Sequence, residues 1–258
     1  MADIKEIEAI AIESGNNFHC RVLNEFKSKS WETLVSPYYM DAATEKPREI
    51  DLVVEKYWKH TNQYERKFGA IAFRLNIECK YITQSTVFWF ARKNESAAED
   101  WLISNTPLRR DNMYTGRHHY LASCPMVAKL FASKNKPSTE NEQIYKALNQ
   151  SLNSLVYMSG YGPISSDLRE GKIPILAEVA MPVIVCSSFD EFYSVDMESP
   201  GIPEPITDNF QLEVNYAYKD SKGLAKSDYF LIDVVAFPLL ENYFETLASD
   251  RSAIEQIL

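Results

Sequence analysis

The four cysteines, Cys20, Cys79, Cys124 and Cys186, are widely spaced, and none belongs to a C-x-x-C pair. That excludes a dithiol motif and a cysteine-rich zinc site, and it predicts reduced thiols in a cytoplasmic protein. Glycine and proline are scarce, eight and twelve in 258 residues, too few for a collagen-like or long flexible region. No apolar run approaches the ~20 residues that cross a bilayer, so no membrane partner is expected. The start, Met1-Ala2-Asp3-Ile4-Lys5-Glu6, alternates charge and lacks the apolar core of an export signal. What is present is an ordinary globular balance, 45% hydrophobic and 24% charged. Fifteen tyrosines and thirteen phenylalanines supply apolar area to bury and argue against disorder.

The net charge of -9 opposes a nucleic-acid partner if it is spread evenly. It is not spread evenly. Through residue 134 there are 19 Lys and Arg against 17 Asp and Glu, a balance of +2, and the remainder holds 8 against 19, a balance of -11. The first half can therefore carry a local basic surface.

Ile4, Ile7, Ile10 and Ala11 predict a helix over residues 3–13, and Ser14-Gly15-Asn16-Asn17 breaks it. Phe18, Val22 and Phe26, at steps of four, predict a second helix over residues 18–29. β-Branched and aromatic residues predict strands over 33–41, 47–54, 70–81 and 86–90, in hairpin order. Residues 126–133 and 141–158 predict helices. Residues 173–185 (interrupted by Pro182), 211–218 and 229–237 predict strands, and Pro200 to Pro205 a loop. Leu239, Tyr243 and Leu247 predict a closing helix. The expected fold class is α/β, a central mixed β-sheet flanked by helices.

D/E-x-K triplets recur along the chain, among them those beginning at Asp3, Glu65, Glu78, Glu170 and Asp220. Only Glu78-Cys79-Lys80 ends an alternating strand. Ile71, Phe73, Leu75 and Ile77 share one face, so Glu78 and Lys80 project together from the other. Upstream, Asp51 sits in the apolar run Ile50-Asp51-Leu52-Val53-Val54. A buried lone carboxylate is costly and needs a cation, a donor or a proton. With Glu49 on the same strand, and with Glu78, it makes a cluster of hard oxygen ligands suited to Mg²⁺ or Mn²⁺. The alternative for Asp51, Glu78 and Lys80 is an ion pair between neighbouring strands. For Glu49 it is a solvated strand residue.

At these residues the chain resembles the PD-(D/E)XK nuclease superfamily, the restriction-endonuclease-like fold. The resemblance runs from Gly15 to Phe90. It comprises the helix Asn17-Phe18-His19-Cys20-Arg21-Val22, the strand ending Ser36-Pro37-Tyr38-Tyr39-Met40-Asp41, the strand Arg48-Glu49-Ile50-Asp51, the triplet within Ile77-Glu78-Cys79-Lys80, and the aromatic strand Val87-Phe88-Trp89-Phe90. The order helix, strand, strand, strand is that of the family's core. The resemblance implies one domain over residues 1–258, with a catalytic core at 1–135 and a C-terminal extension of the same sheet at 136–258. It implies Mg²⁺- or Mn²⁺-dependent hydrolysis of phosphodiester bonds, foremost in DNA, in a restriction or antiviral defence setting. Its partners would be nucleic acid, with a homodimer or a defence-system partner protein beside it. Asp51 and Glu78 would bind the metal, helped by the Cys79 backbone carbonyl, and Lys80 would orient or activate the attacking water.

One position departs from the family. Many members carry a glutamate just after the aromatic residue of the first helix. Here His19 follows Phe18, while Glu25 shares the Phe18 face, and the sequence leaves open which completes the site. It also leaves open a nuclease-fold protein that binds nucleic acid or a partner without cutting, and an RNase acting within a complex. Arg109, Arg110, Arg117 and His118 flank the turn at Asn112 to Gly116 and are candidate phosphate contacts, a solvated loop being the alternative. His118 and His119 lack further Cys or His at zinc-ligand spacing. Ile232-Asp233-Val234-Val235 echoes the Asp51 strand without an E-x-K after it, and reads as structural.

Overall fold

The computed structural model describes residues 4–13, 15–62, 67–133, 143–220 and 222–258. Asp3 and Glu65, which head two of the D/E-x-K triplets, lie outside the described residues. Helices α1 (Ile4–Glu13) and α2 (Asn16–Ser28) lead. Gly15, at φ 76°, turns the chain between them, and its carbonyl accepts the first α2 amides, from Phe18 and His19. The apolar face expected of α1 exists, but Ile4, Ile7 and Ile10 are exposed.

Strands β1 (Glu32–Val35), β2 (Tyr38–Asp41), β3 (Lys46–Glu49), β4 (Leu52–Asn62), β5 (Lys67–Lys80) and β6 (Thr86–Arg92) follow. The segments expected as single strands at 33–41 and 47–54 are each broken in two. Ser36, at φ 50°, and Pro37 stop the first. The second breaks at Ile50-Asp51, where the Ile50 N–H donates to Pro37 O and Asp51 O accepts from Ser36 N–H. Then come α3 (Glu95–Asn105), α4 (His119–Ala122), β7 (Met126–Ser133), α5 (Gln143–Tyr157), α6 (Ser166–Arg169), β8 (Ile175–Cys186), β9 (Phe192–Asp196), β10 (Glu204–Pro205), β11 (Phe210–Lys219), β12 (Ala225–Ala236) and α7 (Leu240–Glu255). Residues 126–133, expected as a helix, form β7 instead. Met, Ala, Lys and Leu favour helix locally, but pairing along β6, with Phe131 opposite Phe88, overrides that preference.

Among the described residues, ten strands make one mixed sheet in the order β1-β4-β5-β8-β12-β11-β7-β6-β9-β10, with β2 and β3 a separate hairpin. β1, β4 and β5 are antiparallel neighbours, while β5, β8 and β12 run parallel. β6 was expected beside β5 in hairpin order. It lies instead beyond β7, because β8, β12 and β11 insert between them. The C-terminal strands thus enter the middle of the sheet rather than only extending its edge.

Register assigns the two faces. Ile77 lies opposite Val183, which lies opposite Asp233; Glu78 lies opposite Ile184, which lies opposite Val234. The Ile77 face is covered by α2 and α7, where Phe26 packs edge-on against Phe244 and Trp31. The Glu78 face is covered by α5, whose Asn149 and Asn153 accept from the Tyr216 hydroxyl. The β8–β12 ladder begins only at Val183 and Asp233. Pro182, which has no N–H to give, stands at that fork. Among the described residues no helix is long and apolar enough to cross a membrane.

Candidate active site at the end of β5

β4 and β5 pair with Leu52 opposite Ile77, so the next residues outward, Asp51 and Glu78, meet at the end of the ladder. Asp51 sits in the break between β3 and β4, free of the ladder. Its Oδ2 accepts the Cys79 N–H at 2.8 Å, which fixes the carboxylate beside Glu78. Glu78 is 1% exposed. Its Oε1 accepts from Lys80 Nζ at 2.5 Å, while its Oε2 is buried without a well-formed hydrogen bond among the described residues. Burial pushes the Glu78 carboxyl up to about 8. The Lys80 ammonium opposes the rise, the Asp51 charge adds to it, and the Asp51 backbone N–H, as a hydrogen-bond donor, also opposes it. Asp51, Glu78, Cys79 and Lys80 are therefore brought together, with Cys79 contributing its amide to Asp51.

Glu49 is placed differently. Ser36 and Tyr38 hydroxyls donate to its carboxylate and hold it below the usual range, with the His19 charge assisting. It belongs to the hairpin junction, and the expected cluster of three acids reduces to Asp51 and Glu78. His19 is half-buried near Glu49, and its Nε2 is buried without a partner. Glu25 lies six residues further along α2, about 9 Å by helical rise, and acts on Lys29. The Lys29 carbonyl accepts from Lys56 Nζ at 2.7 Å, and Lys56 is about 17 Å along the strand from Asp51. Glu25 is thus too far away to complete the site.

The phosphate contacts expected around Asn112 are not assembled at this centre. Arg110 is engaged by Asp100 and Glu99, and Arg117 stacks on Tyr114 at 4.8 Å. Arg109 is exposed. His118 is fully buried, so it cannot meet a phosphate, and this expectation is corrected.

His118 and His119 belong to a charged network on the opposite face. His119 Nδ1 bonds Asp250, and its Nε2 lies 3.1 Å from Asp233 Oδ2. Asp233 also accepts from the Tyr243 hydroxyl at 2.9 Å and from Gln211 Nε2 at 3.2 Å. Burial pulls the His119 imidazole down, but Asp250 and Asp233 outweigh it and raise it to about 10. Burial lowers His118 to about 4, so it is neutral. Ligand atoms of His118, His119 and Asp250 lie within 4.8 Å of one another. His118 Nδ1, however, accepts the Tyr120 amide at 3.3 Å, which leaves the proton on Nε2, the atom that would have to bind a metal. The group reads as a buried ion network.

Sequence reasoning missed a second buried pair. Arg74 on β5 bonds Glu55 on β4 at 2.9 Å and donates to the carbonyls of Tyr161 and Gly162. Glu55 Oε1 accepts the Ile164 and Ser165 amides, at 3.1 and 3.2 Å. The signal was available in outline, since Arg74 shares the Glu78 face of β5, but its partner depends on the β4–β5 register. Comparison with protein-family models, with curated proteins and with solved structures found no match.

Proposed function

We propose that the chain is a metal-dependent nuclease of the PD-(D/E)XK type. It hydrolyses phosphodiester bonds, foremost in DNA, in a restriction or antiviral defence setting. The observation that carries this reading is Glu78 Oε2, a buried carboxylate oxygen without a well-formed hydrogen bond among the described residues, in an acid raised to about 8 beside Asp51. Such a group is satisfied by a proton or by a cation, and two strand-borne carboxylates suit a hard divalent ion such as Mg²⁺ or Mn²⁺. The order α2, β1, β4, β5, with the β2–β3 hairpin inserted, supports the family resemblance.

A divalent ion held by Asp51 and Glu78 would supply charge stabilisation at a phosphate oxygen. The chain's own part is positional. The Cys79 amide fixes one Asp51 oxygen, leaving the other to converge with Glu78. Lys80 Nζ, partly open to solvent at 19% side-chain exposure, orients a water for attack and balances negative charge. His19, with its free Nε2, stands near the hairpin junction and is the residue of the first helix best suited to assist.

The test is incubation with supercoiled DNA and with single- and double-stranded RNA, in Mg²⁺, Mn²⁺ or chelator, with wild type beside Lys80→Ala. Cleavage should require metal and be lost in Lys80→Ala. The competing reading, a nuclease-fold subunit that binds nucleic acid without cutting, draws on the closed Lys80–Glu78 pair. It predicts binding with no metal-dependent cleavage of any substrate.

A further inference from the structure

Where β8 and β12 part ahead of Pro182, the space between them is a cleft of about 1200 Å³, somewhat larger than the usual small-molecule site. Five rings line it, from Trp101, Tyr157, Tyr218, Tyr229 and Phe230. Its acids are each engaged: Asp100 by Arg110, Glu178 by Arg74, Asp220 by Lys226, and Asp228 by the Tyr218 hydroxyl. Asp228 is hydrogen-bonded by a neutral group and Glu178 shares its arginine with Glu55, so the wall stays acidic and disfavours a phosphate. The cation in its wall, Arg74, is held by Glu55, Tyr161 and Gly162, so it offers nothing free to a phosphate.

What lacks a partner is neutral. Asn76, 1% exposed, lines the cleft, and its Oδ1 accepts no hydrogen bond from the described residues. Asn76 lies two residues before Glu78 on the same face of β5, about 7 Å along the strand.

We infer that this cleft is a nucleobase pocket. It takes a flat heteroaromatic ring, stacked on the tyrosines, with an amino or imino N–H donated to Asn76 Oδ1. A donor there removes the cost of a buried unpaired acceptor. The acidic wall, with no free cation among its described residues, keeps the phosphodiester backbone outside, at Asp51, Glu78 and Lys80. The biological role rests on the nuclease reading and deepens it. The substrate is a nucleotide whose base is out of the stack, in a single strand or flipped from a duplex. Binding of the base itself does not depend on cleavage.

The experiment titrates deoxyguanosine, deoxyadenosine, deoxycytidine and thymidine, none carrying phosphate, into protein in chelator. Binding is followed by saturation-transfer NMR and tryptophan fluorescence. At least one nucleoside should bind saturably, and Asn76→Leu should weaken it tenfold or more. Tyr218→Ala, on the more open β11, should do the same and guards against misfolding of the Asn76 variant. No binding by any of the four, or equal binding by both variants and wild type, overturns the inference. Saturable binding of spermidine with none of the nucleosides also overturns it, and makes the cleft an organic-cation site. Nucleoside binding without cleavage of any nucleic acid upholds the pocket and removes the nuclease reading. Cleavage with no nucleoside binding, at rates unchanged in Asn76→Leu, does the reverse.

Discussion

In metal-free protein, Glu78 should make stability fall as pH rises, and Glu78→Gln should remove that part of the slope, leaving the part due to His119. The carboxyl moves from an ordinary 4.5 to about 8 on folding, chiefly because burial disfavours its charged form. The folded state therefore holds the proton more tightly. Its contribution is fully present below pH 4.5 and is lost as pH rises through about 8. Each tenfold difference in proton affinity is about 1.4 kcal/mol, so the gap corresponds to roughly 4 kcal/mol between pH 5 and pH 9. Urea unfolding followed by circular dichroism, in chelator, would measure it. Glu78→Gln should match wild type within about 1 kcal/mol at pH 5 and exceed it by roughly 3 to 5 kcal/mol at pH 9. Mn²⁺ at pH 8.5 should recover wild-type stability and do little for the variant. Parallel stability curves for the two proteins across this range would refute the reasoning.

Three other outcomes follow from the buried charges and the site. Glu55→Ala or Arg74→Ala alone should cost about 3–5 kcal/mol by stranding a buried charge, readable in the same unfolding assay; a change under 1 kcal/mol would mean the pair is solvated. His119→Ala should be similarly damaging because it leaves Asp233 and Asp250 without their cation. In wild type the His119 contribution should be complete below pH 6.5 and disappear as pH climbs through about 10, a loss that His119→Ala should not show. Asp51→Ala should abolish cleavage with the fold intact by circular dichroism. Glu170→Ala should leave the rate unchanged, because Glu170 is an exposed partner of Lys172, and a strong loss there would mean the wrong triplet was chosen.

The convergence of Glu78 and Lys80 was legible because alternation along one strand assigns faces without knowledge of neighbours. Asp51 was legible as a buried acid, but its position in a break was not. That break depends on Ser36 adopting φ 50° and on backbone bonds between Ser36–Pro37 and Ile50–Asp51. Glu49 was misassigned for the same reason: an unbroken strand would have carried it onto the Asp51 face, whereas the junction turns it to Ser36 and Tyr38. The adjacent histidines drew notice, but the partners that bury them, Asp233 and Asp250, lie 114 and 131 residues away. The insertion of β8, β12 and β11 between β5 and β7, and the cleft at the Pro182 fork, are likewise products of long-range pairing. Local periodicity carries no information about either.

The most direct measurement is Mn²⁺-dependent cleavage of supercoiled plasmid by wild type beside Asp51→Asn and Glu78→Gln. Both substitutions keep side-chain size while removing the charge that would hold the ion. Nicked and linear products should form with wild type alone, and only when metal is present. Equal cleavage by all three proteins, or cleavage that persists in chelator, would contradict the account.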